Sequence, residues 1–366
     1  MNYKLLPAAI AAATVMASSA NAGDIVTYGK INLSYVQIEQ DLAGVQARDN
    51  WELTTNASRI GFKGTEDLGE NLKVIYKLEY GIQPDGDGND EFTGRNSYVG
   101  LQGSFGTIVA GEHDTPLKMS SAPVDVFNDY YYADIDYSIT GERRENDIIM
   151  YKTPVSNGYA ATIAIMPGDE SGANGQTDND GFADQISAAF TYQANGLYVA
   201  LAGDQDVAGA DTVRLSASYQ LGNLKLGALI QKADLSGTNA LPDVADDSAL
   251  QDLIANIEDV DDEGIIQGVD VDLNEQNSHV ISAIYTIDKL SLKAQLAQAT
   301  NEGSVDGIEG HVDSSAFSIG ADYKLSNRTK IYTYYSELSV DKDESINLDN
   351  DVEFSATGFV GIEHKF

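Results

Sequence analysis

Between residues 114 and 143 the chain carries Asp125, Asp129, Asp134, Asp136 and Glu142, with Lys118 the only base before Arg143. Carboxylates at this density could hold a cation, exchange a proton or set a local electric field. They alternate with Val126-Phe127 and Tyr130-Tyr131-Tyr132. A fully solvated loop has little use for so many aromatics, so the segment is expected to pack against a wall and present its acids at an edge. Asp125 and Asp129 flank the apolar step and lead that edge; Asp134 and Asp136 follow.

Other chemistry is poorly served. The histidines are His113, His279, His311 and His364, and none lies in an H-E-x-x-H motif; no G-x-S-x-G elbow is present either. His279 and Ser282 are three apart, which puts them on opposite faces of a strand. The run Asp85 to Asp90 imitates a calcium loop, but Asp90 replaces the required Gly and Asn96 the required Glu. With no cysteine, thiolate metal sites, disulfides and Cys nucleophiles are excluded together. No enzyme, metal or cofactor is expected. An electrostatic role needs no such group.

The elements that must position these acids are short alternating segments. In Leu72 to Ile82, the residues Leu72, Val74, Tyr76, Leu78, Tyr80 and Ile82 share one face, while Lys73, Lys77 and Glu79 share the other. About sixteen segments of this kind run from 24 to 366. Every second connection is a short turn, and the intervening ones (39–50, 84–93, 114–143, 167–183, 205–210, 233–277, 300–313 and 339–353) are long and acidic. A soluble sandwich has no reason to sort its loops in this way. A membrane barrel with short periplasmic turns and long outer loops does, and its apolar face meets lipid while its polar face meets a wet lumen. The predicted fold is all-β: one sixteen-stranded antiparallel transmembrane β-barrel over 23–366, with 114–143 as its third outer loop. The loop 233–277 has 13 acids and no base, with a short amphipathic helix expected over 247–257.

Parity then selects the bases. Lys30 alternates with Ile31, Leu33 and Tyr35 and so points inward with Asn32 and Ser34. Arg59 is opposite Ile60 and Phe62, Lys77 is inward on the strand above, and Arg95 shares a side with Ser97. Arg143 and Arg144 lie where the third loop rejoins the wall, and parity leaves open which of them faces the lumen.

Composition agrees with an exported acidic protein. Residues 1–22 read as a signal peptide, with Lys4, an apolar run from Leu5 to Ala17, and Ala20-Asn21-Ala22 before the cut. The whole chain has 22 Lys+Arg against 57 Asp+Glu, a net charge of −35, which becomes −36 without Lys4. Nucleic acid is excluded as a partner because phosphate contacts need a basic footprint.

Arg59-Ile60-Gly61-Phe62-Lys63-Gly64-Thr65-Glu66-Asp67-Leu68-Gly69, Tyr98-Val99-Gly100-Leu101 with Phe105-Gly106-Thr107, Asp114-Thr115-Pro116-Leu117-Lys118, Tyr28-Gly29-Lys30 and the terminal Phe366 together resemble the trimeric general porins of Gram-negative bacteria. The resemblance implies an outer-membrane homotrimer that passes ions and small hydrophilic solutes passively. It places Asp125, Asp129, Asp134 and Asp136 on a constricting third loop, facing a basic wall of Lys30, Arg59, Lys77, Arg95 and Arg143 or Arg144. It makes Phe366 similar to the signal read by the barrel-assembly machinery. The acidic outer loops suggest mild cation preference and leave room for divalent bridging to lipopolysaccharide. A solute-specific porin, an outer-membrane β-barrel hydrolase and a secreted acidic adhesin are the alternatives.

Overall fold

In a bilayer every backbone N–H and C=O must find its partner within the protein, and a β-sheet achieves this only by closing on itself. The computed structural model describes residues 25–42, 45–86, 92–167, 181–235, 259–260, 266–267, 271–305, 308–342 and 352–366. Residues 1–22 and the helix expected over 247–257 lie outside the described residues. The strands are β1 Val26–Leu42, β2 in two parts (Val45–Thr55 and Arg59–Gly69), β3 Leu72–Ile82, β4 in two parts (Phe92–Gly94 and Ser97–Gly103), β5 Gly106–Asp114, β6 Arg144–Lys152, β7 Tyr159–Met166 and β8 Gln185–Ala194. The second half comprises β9 Leu197–Val207, β10 Ala210–Leu221, β11 Leu224–Leu235, β12 Val271–Ile287, β13 Leu290–Val305, β14 Ile308–Lys324, β15 Thr329–Lys342 and β16 Val352–Lys365. Each pairs antiparallel with its sequence neighbours, and β16 returns to β1 from Lys30↔Lys365 to Leu42↔Val352. The result is a closed sixteen-stranded barrel; a separate ladder joins Asp259–Val260 to Ile266–Gln267.

Strand β10 shows why the sequence adopts this wall. Thr212, Arg214, Ser216 and Ser218 are buried inward, while Val213, Leu215 and Tyr219 are exposed outward. The outside of a soluble protein would not carry Val99, Leu201, Val213, Ile230 and Ile281 more than half exposed. A lipid-facing wall requires it. No helix among the described residues is long and apolar enough to cross a membrane. Short turns close one end: Asn195 and Gly196 have φ of 51° and 80°, the conformation of a two-residue hairpin whose twist matches the flanking strands.

Several stretches expected as loops are strand. β9 and β10 meet at a tight hairpin around Ala208-Gly209, β13 and β14 run to Val305 and from Ile308, and β1 and β2 run to Leu42 and from Val45. Above the bilayer both faces of a hairpin are wet, so the polarity alternation stops while the hydrogen-bond ladder continues. On β16 Gly358 lies inside rather than with Val360 on the lipid face, because a bulge between them shifts the register.

The inner face also departs from uniform polarity. Val36, Ile38, Leu229, Val280, Leu338 and Val340 point inward and are buried, and they pack with Val124, Phe127, Tyr130, Tyr132, Ile135 and Ile139 of the third loop. An apolar core thus fills part of the lumen.

At the closing seam, tyrosines lie flat over glycines. A Cβ on Gly361 would sit 2.1 Å from the Tyr332 ring, and one on Gly358 2.1 Å from the Tyr334 ring. Gly361→Val is therefore expected to destabilise closure at the upper end of the roughly 1–3 kcal/mol typical of overpacking. Heat-dependent gel mobility of the folded barrel measures this, and an unchanged transition temperature would refute the steric reading.

Candidate functional site: a charged eyelet

The third loop leaves β5 at Asp114. It forms helix α1 Pro116–Ser121, in which Thr115 caps the N-terminus by accepting a hydrogen bond from the Lys118 backbone N–H (3.1 Å). It then crosses the lumen and rejoins β6 at Arg144. Wall side chains hold it through its backbone. Ser282 donates to the Val124 carbonyl (2.5 Å). Gln295 accepts from the Val126 N–H (2.9 Å) and donates to the Ala133 carbonyl (3.1 Å). Gln276 accepts from the Thr140 N–H (2.9 Å). Lys293 lies over the rings of Phe127 and Tyr130, 4.4 and 4.1 Å from their centroids.

Seated in this way, the loop confines a cavity of about 600 Å³ against the wall of β2 to β6. On the wall side it is lined by Arg59, Arg95, Arg144 and Asp114, and on the loop side by Lys118, Asn128, Asp129, Asp134, Asp136 and Glu142. Tyr130, Tyr131 and Tyr137 also line it, together with Thr55 to Ala57 and residues of α1 and its end.

The four predicted acids take four different positions. Asp129 reaches the wall, where it pairs with Lys30 (2.5 Å) and Arg59 (3.3 Å). Its φ of 70° is unusual for a residue with a Cβ and marks a conformation held by its surroundings. Asp134 holds it: one carboxylate oxygen accepts from the Asp129 N–H (2.6 Å) and Asn128 (3.1 Å), the other from the Asp136 N–H (3.2 Å). Asp136 stands half-buried at the cavity edge. Asp125 is 7% exposed and does not line the cavity; one of its oxygens accepts from the Phe127 N–H and the other has no partner.

These settings have opposite electrostatic consequences. Burial pushes the Asp129 carboxyl up, but the Lys30 ammonium and Arg59 guanidinium beside it more than offset this and hold it below the ordinary carboxylate range. Burial, and then the neighbouring Asp134, push Asp125 well above that range. A carboxyl whose pKa rises on folding stabilises the folded form fully below its unfolded value, and that contribution disappears as pH rises through the folded value. Raising the pH beyond the ordinary carboxylate range is thus expected to loosen the loop and raise open-channel current noise. Asp125→Asn should weaken that dependence, to which Asp134, Asp136 and Glu142, also pushed up by burial, contribute; an unchanged pH profile in the variant would exclude Asp125 as a source.

Among the predicted bases, Arg59, Arg95 and Arg144 line the cavity together, and Lys30 lies buried beneath Asp129. Arg144 donates through Nε to Asn96 (2.9 Å) and Asp114 (3.0 Å). Arg143 pairs with Glu145 (3.4 Å) and does not line the cavity. Lys77 pairs with Glu79 (3.1 Å), also away from the lining. Glu79 is an acid that sequence reasoning passed over as a site residue. It lies 5% exposed, accepts from Tyr28 (2.8 Å), and pairs with Arg95 (3.2 Å). The signal was available, since Glu79 shares the inward parity of Lys77. Lys293, Asp322 and Lys330 form a second inward ion-pair group on β13 to β15, legible by the same rule. Phe366 exchanges backbone hydrogen bonds with Gly29 (3.1 Å each) and packs its ring where a Cβ on Gly29 would sit 2.6 Å away.

Comparison with known proteins agrees with this architecture. The family described as Gram-negative porin matches residues 8–343. The major outer membrane protein P.IB of Neisseria gonorrhoeae is 26% identical over 374 residues, with both chains covered completely, and that of Neisseria sicca is 25% identical, covering 99% of this chain and 97% of its own. Among solved structures, the anion-selective porin from Comamonas acidovorans superposes with a TM-score of 0.68 at 23% identity, over 94% of this chain and all of the other. OmpT of Vibrio cholerae in its trimer form gives 0.58 at 14% identity, over 94% and 100%. At such identities the structural likeness is one of fold. The full-length sequence match, the barrel with its apolar outer face and the charged cavity agree, and the chain belongs to the Gram-negative porin family, the channels of the outer membrane.

Proposed function

We propose that the protein is a general diffusion porin in which Asp129, Asp134 and Asp136 on the third loop and Arg59, Arg95 and Arg144 on the wall form the constriction. The observation that carries this reading is the apposition of the two sets across one cavity of about 600 Å³. Opposed charges across a narrow gap with low-dielectric walls create a transverse field. A hydrated ion or a dipolar hydrophilic solute can exchange water for these groups in passing. A large apolar solute sheds water without compensation. Lys30 and Lys77 support the wall through Asp129 and Glu79, while Asp125 acts from behind by seating the loop.

Selectivity combines two contributions. The constriction holds both signs, whereas the chain as a whole carries 57 acids against 22 bases. The outer acidic segments enrich cations at the mouth, which favours mild cation preference. This differs from the anion selectivity of the Comamonas protein, whose likeness extends to fold alone. Reversal potentials of the purified protein in a planar bilayer under a salt gradient are the test; a potential of the anionic sign would overturn the preference. The homotrimer, residues 1–22 as export signal and Phe366 as assembly signal belong to the same reading, the first supported by the trimer form of Vibrio OmpT. No reaction is part of it.

A further inference from the structure

The third loop is rooted between β5 and β6, yet its acids act across the lumen, so something must draw it away from its own strands. We infer that Arg214, a residue of β10 that does not line the eyelet, is the positioning residue that sets the eyelet's width; this rests on the diffusion-channel reading. Arg214 is the only arginine between Arg144 and Arg328 and is 0% exposed. Its guanidinium serves both ends of the loop at once. Nη1 donates to the Leu117 carbonyl of α1 (3.2 Å) and to the Glu142 carboxylate, Nη2 to the Thr140 carbonyl (3.1 Å), and Nε to Gln231 of β11 (2.7 Å). Gln231 in turn donates to the Thr140 carbonyl (3.0 Å).

The loop is shaped to receive this group. Gly141 has φ of +88°, and a Cβ there would lie 2.6 Å from Leu117 Cδ2 and 3.4 Å from Arg214 Nη2. Glu142 also accepts from Ser121 Oγ (3.1 Å), and its carbonyl accepts from Lys118 Nζ (2.8 Å). The start and the finish of the loop are therefore fastened to each other and to a wall several strands away from their root. A planar, five-donor guanidinium can satisfy these four acceptors together, whereas a lysine ammonium presents one compact charge with three donors. Loss of that fork leaves the Leu117 and Thr140 carbonyls with only Ser120 Oγ and Gln231 as donors and frees the loop to swing out of the lumen, which widens the eyelet.

The test uses the full protein with Arg214→Lys and, separately, Arg214→Met combined with Glu142→Gln, which removes the buried charge pair as a unit. Each also carries Asn128→Cys with a spin label; the chain has no cysteine, so the label reports one exposed loop position. In variants that keep the heat-modifiable folded form, conductance is expected to rise about 1.5- to 3-fold with the wider gap, and the label to become more mobile. Conductance, reversal potential and label mobility equal to those of the labelled Asn128→Cys protein with Arg214 intact, in either folded variant, would overturn the inference. Should Arg214→Lys fail to fold, the double variant decides by the same readings. Failure of both to fold would also overturn it, because Arg214 would then be needed for the barrel itself. A wild-type protein that conducts nothing would defeat the channel reading instead, while the label would still report whether Arg214 seats the loop.

Discussion

Replacing Arg59, Arg95 and Arg144 together by glutamine is expected to turn a weakly selective channel into a strongly cation-selective one. The three guanidiniums line one cavity with Asp129, Asp134 and Asp136, and their wall partners Glu79 and Asp114 remain when they are removed. At about 8 Å in water a unit charge acts on a passing ion with about 0.5 kcal/mol, so three amount to roughly 1.5 kcal/mol, or about tenfold in relative cation permeability. Salt screens this, since the Debye length falls to about 3 Å at 1 M, so the shift should shrink at high ionic strength. Reversal potentials at two salt concentrations measure both features. An unchanged potential at low salt would remove these arginines from the permeation path.

Phe127→Ala is expected to produce the largest change in conductance from a single substitution in the apolar packing of the loop. Phe127 is 0% exposed, meets Tyr130 edge-on at 5.8 Å, and lies under Lys293. Truncating such a residue costs about 3–5 kcal/mol, against about 1 kcal/mol for one of the hydrogen bonds that hold the loop backbone. The strand ladder does not depend on this ring, so the barrel should survive while the loop loses its seat. Bilayer recordings should show higher conductance and greater open-channel noise than Gln295→Ala, which removes only the hydrogen bonds to Val126 and Ala133. Equal traces from Phe127→Ala and wild type would mean that the apolar core does not hold the eyelet.

The two variants separate what the constriction does from what holds it. Charge at the wall acts on the ion directly, and its effect depends on salt. Packing behind the loop acts through geometry, and its effect does not. Asp125 belongs with the second group although it is an acid, because it is buried against the loop with an unpartnered oxygen.

Strand count and the inward parity of Lys30, Arg59, Lys77 and Glu79 were legible in the chain, because a barrel wall imposes period two on every residue that crosses lipid. Arg214 was not singled out: the same rule puts it inward on β10 but says nothing of its role, since parity assigns a side and not a partner. It was silent above the bilayer, where β13 and β14 continue as strand with both faces wet. It could not anticipate the inward Val36, Ile38, Leu338 and Val340, because polarity of the lumen wall was inferred from water, and a loop had taken the water's place.

Within 114–143 composition identified an acidic, aromatic segment that must pack somewhere. Which carboxylate reaches the wall was decided by tertiary contacts. Asp129 does so because Asp134 binds its backbone in a left-handed conformation and Lys30 and Arg59 wait opposite. Asp125, equal to it in sequence terms, is turned into the packing. Residues on a strand are placed by a repeating backbone geometry that any sequence displays; residues on an irregular loop are placed by partners distant in the chain, and those exist only once the barrel has closed.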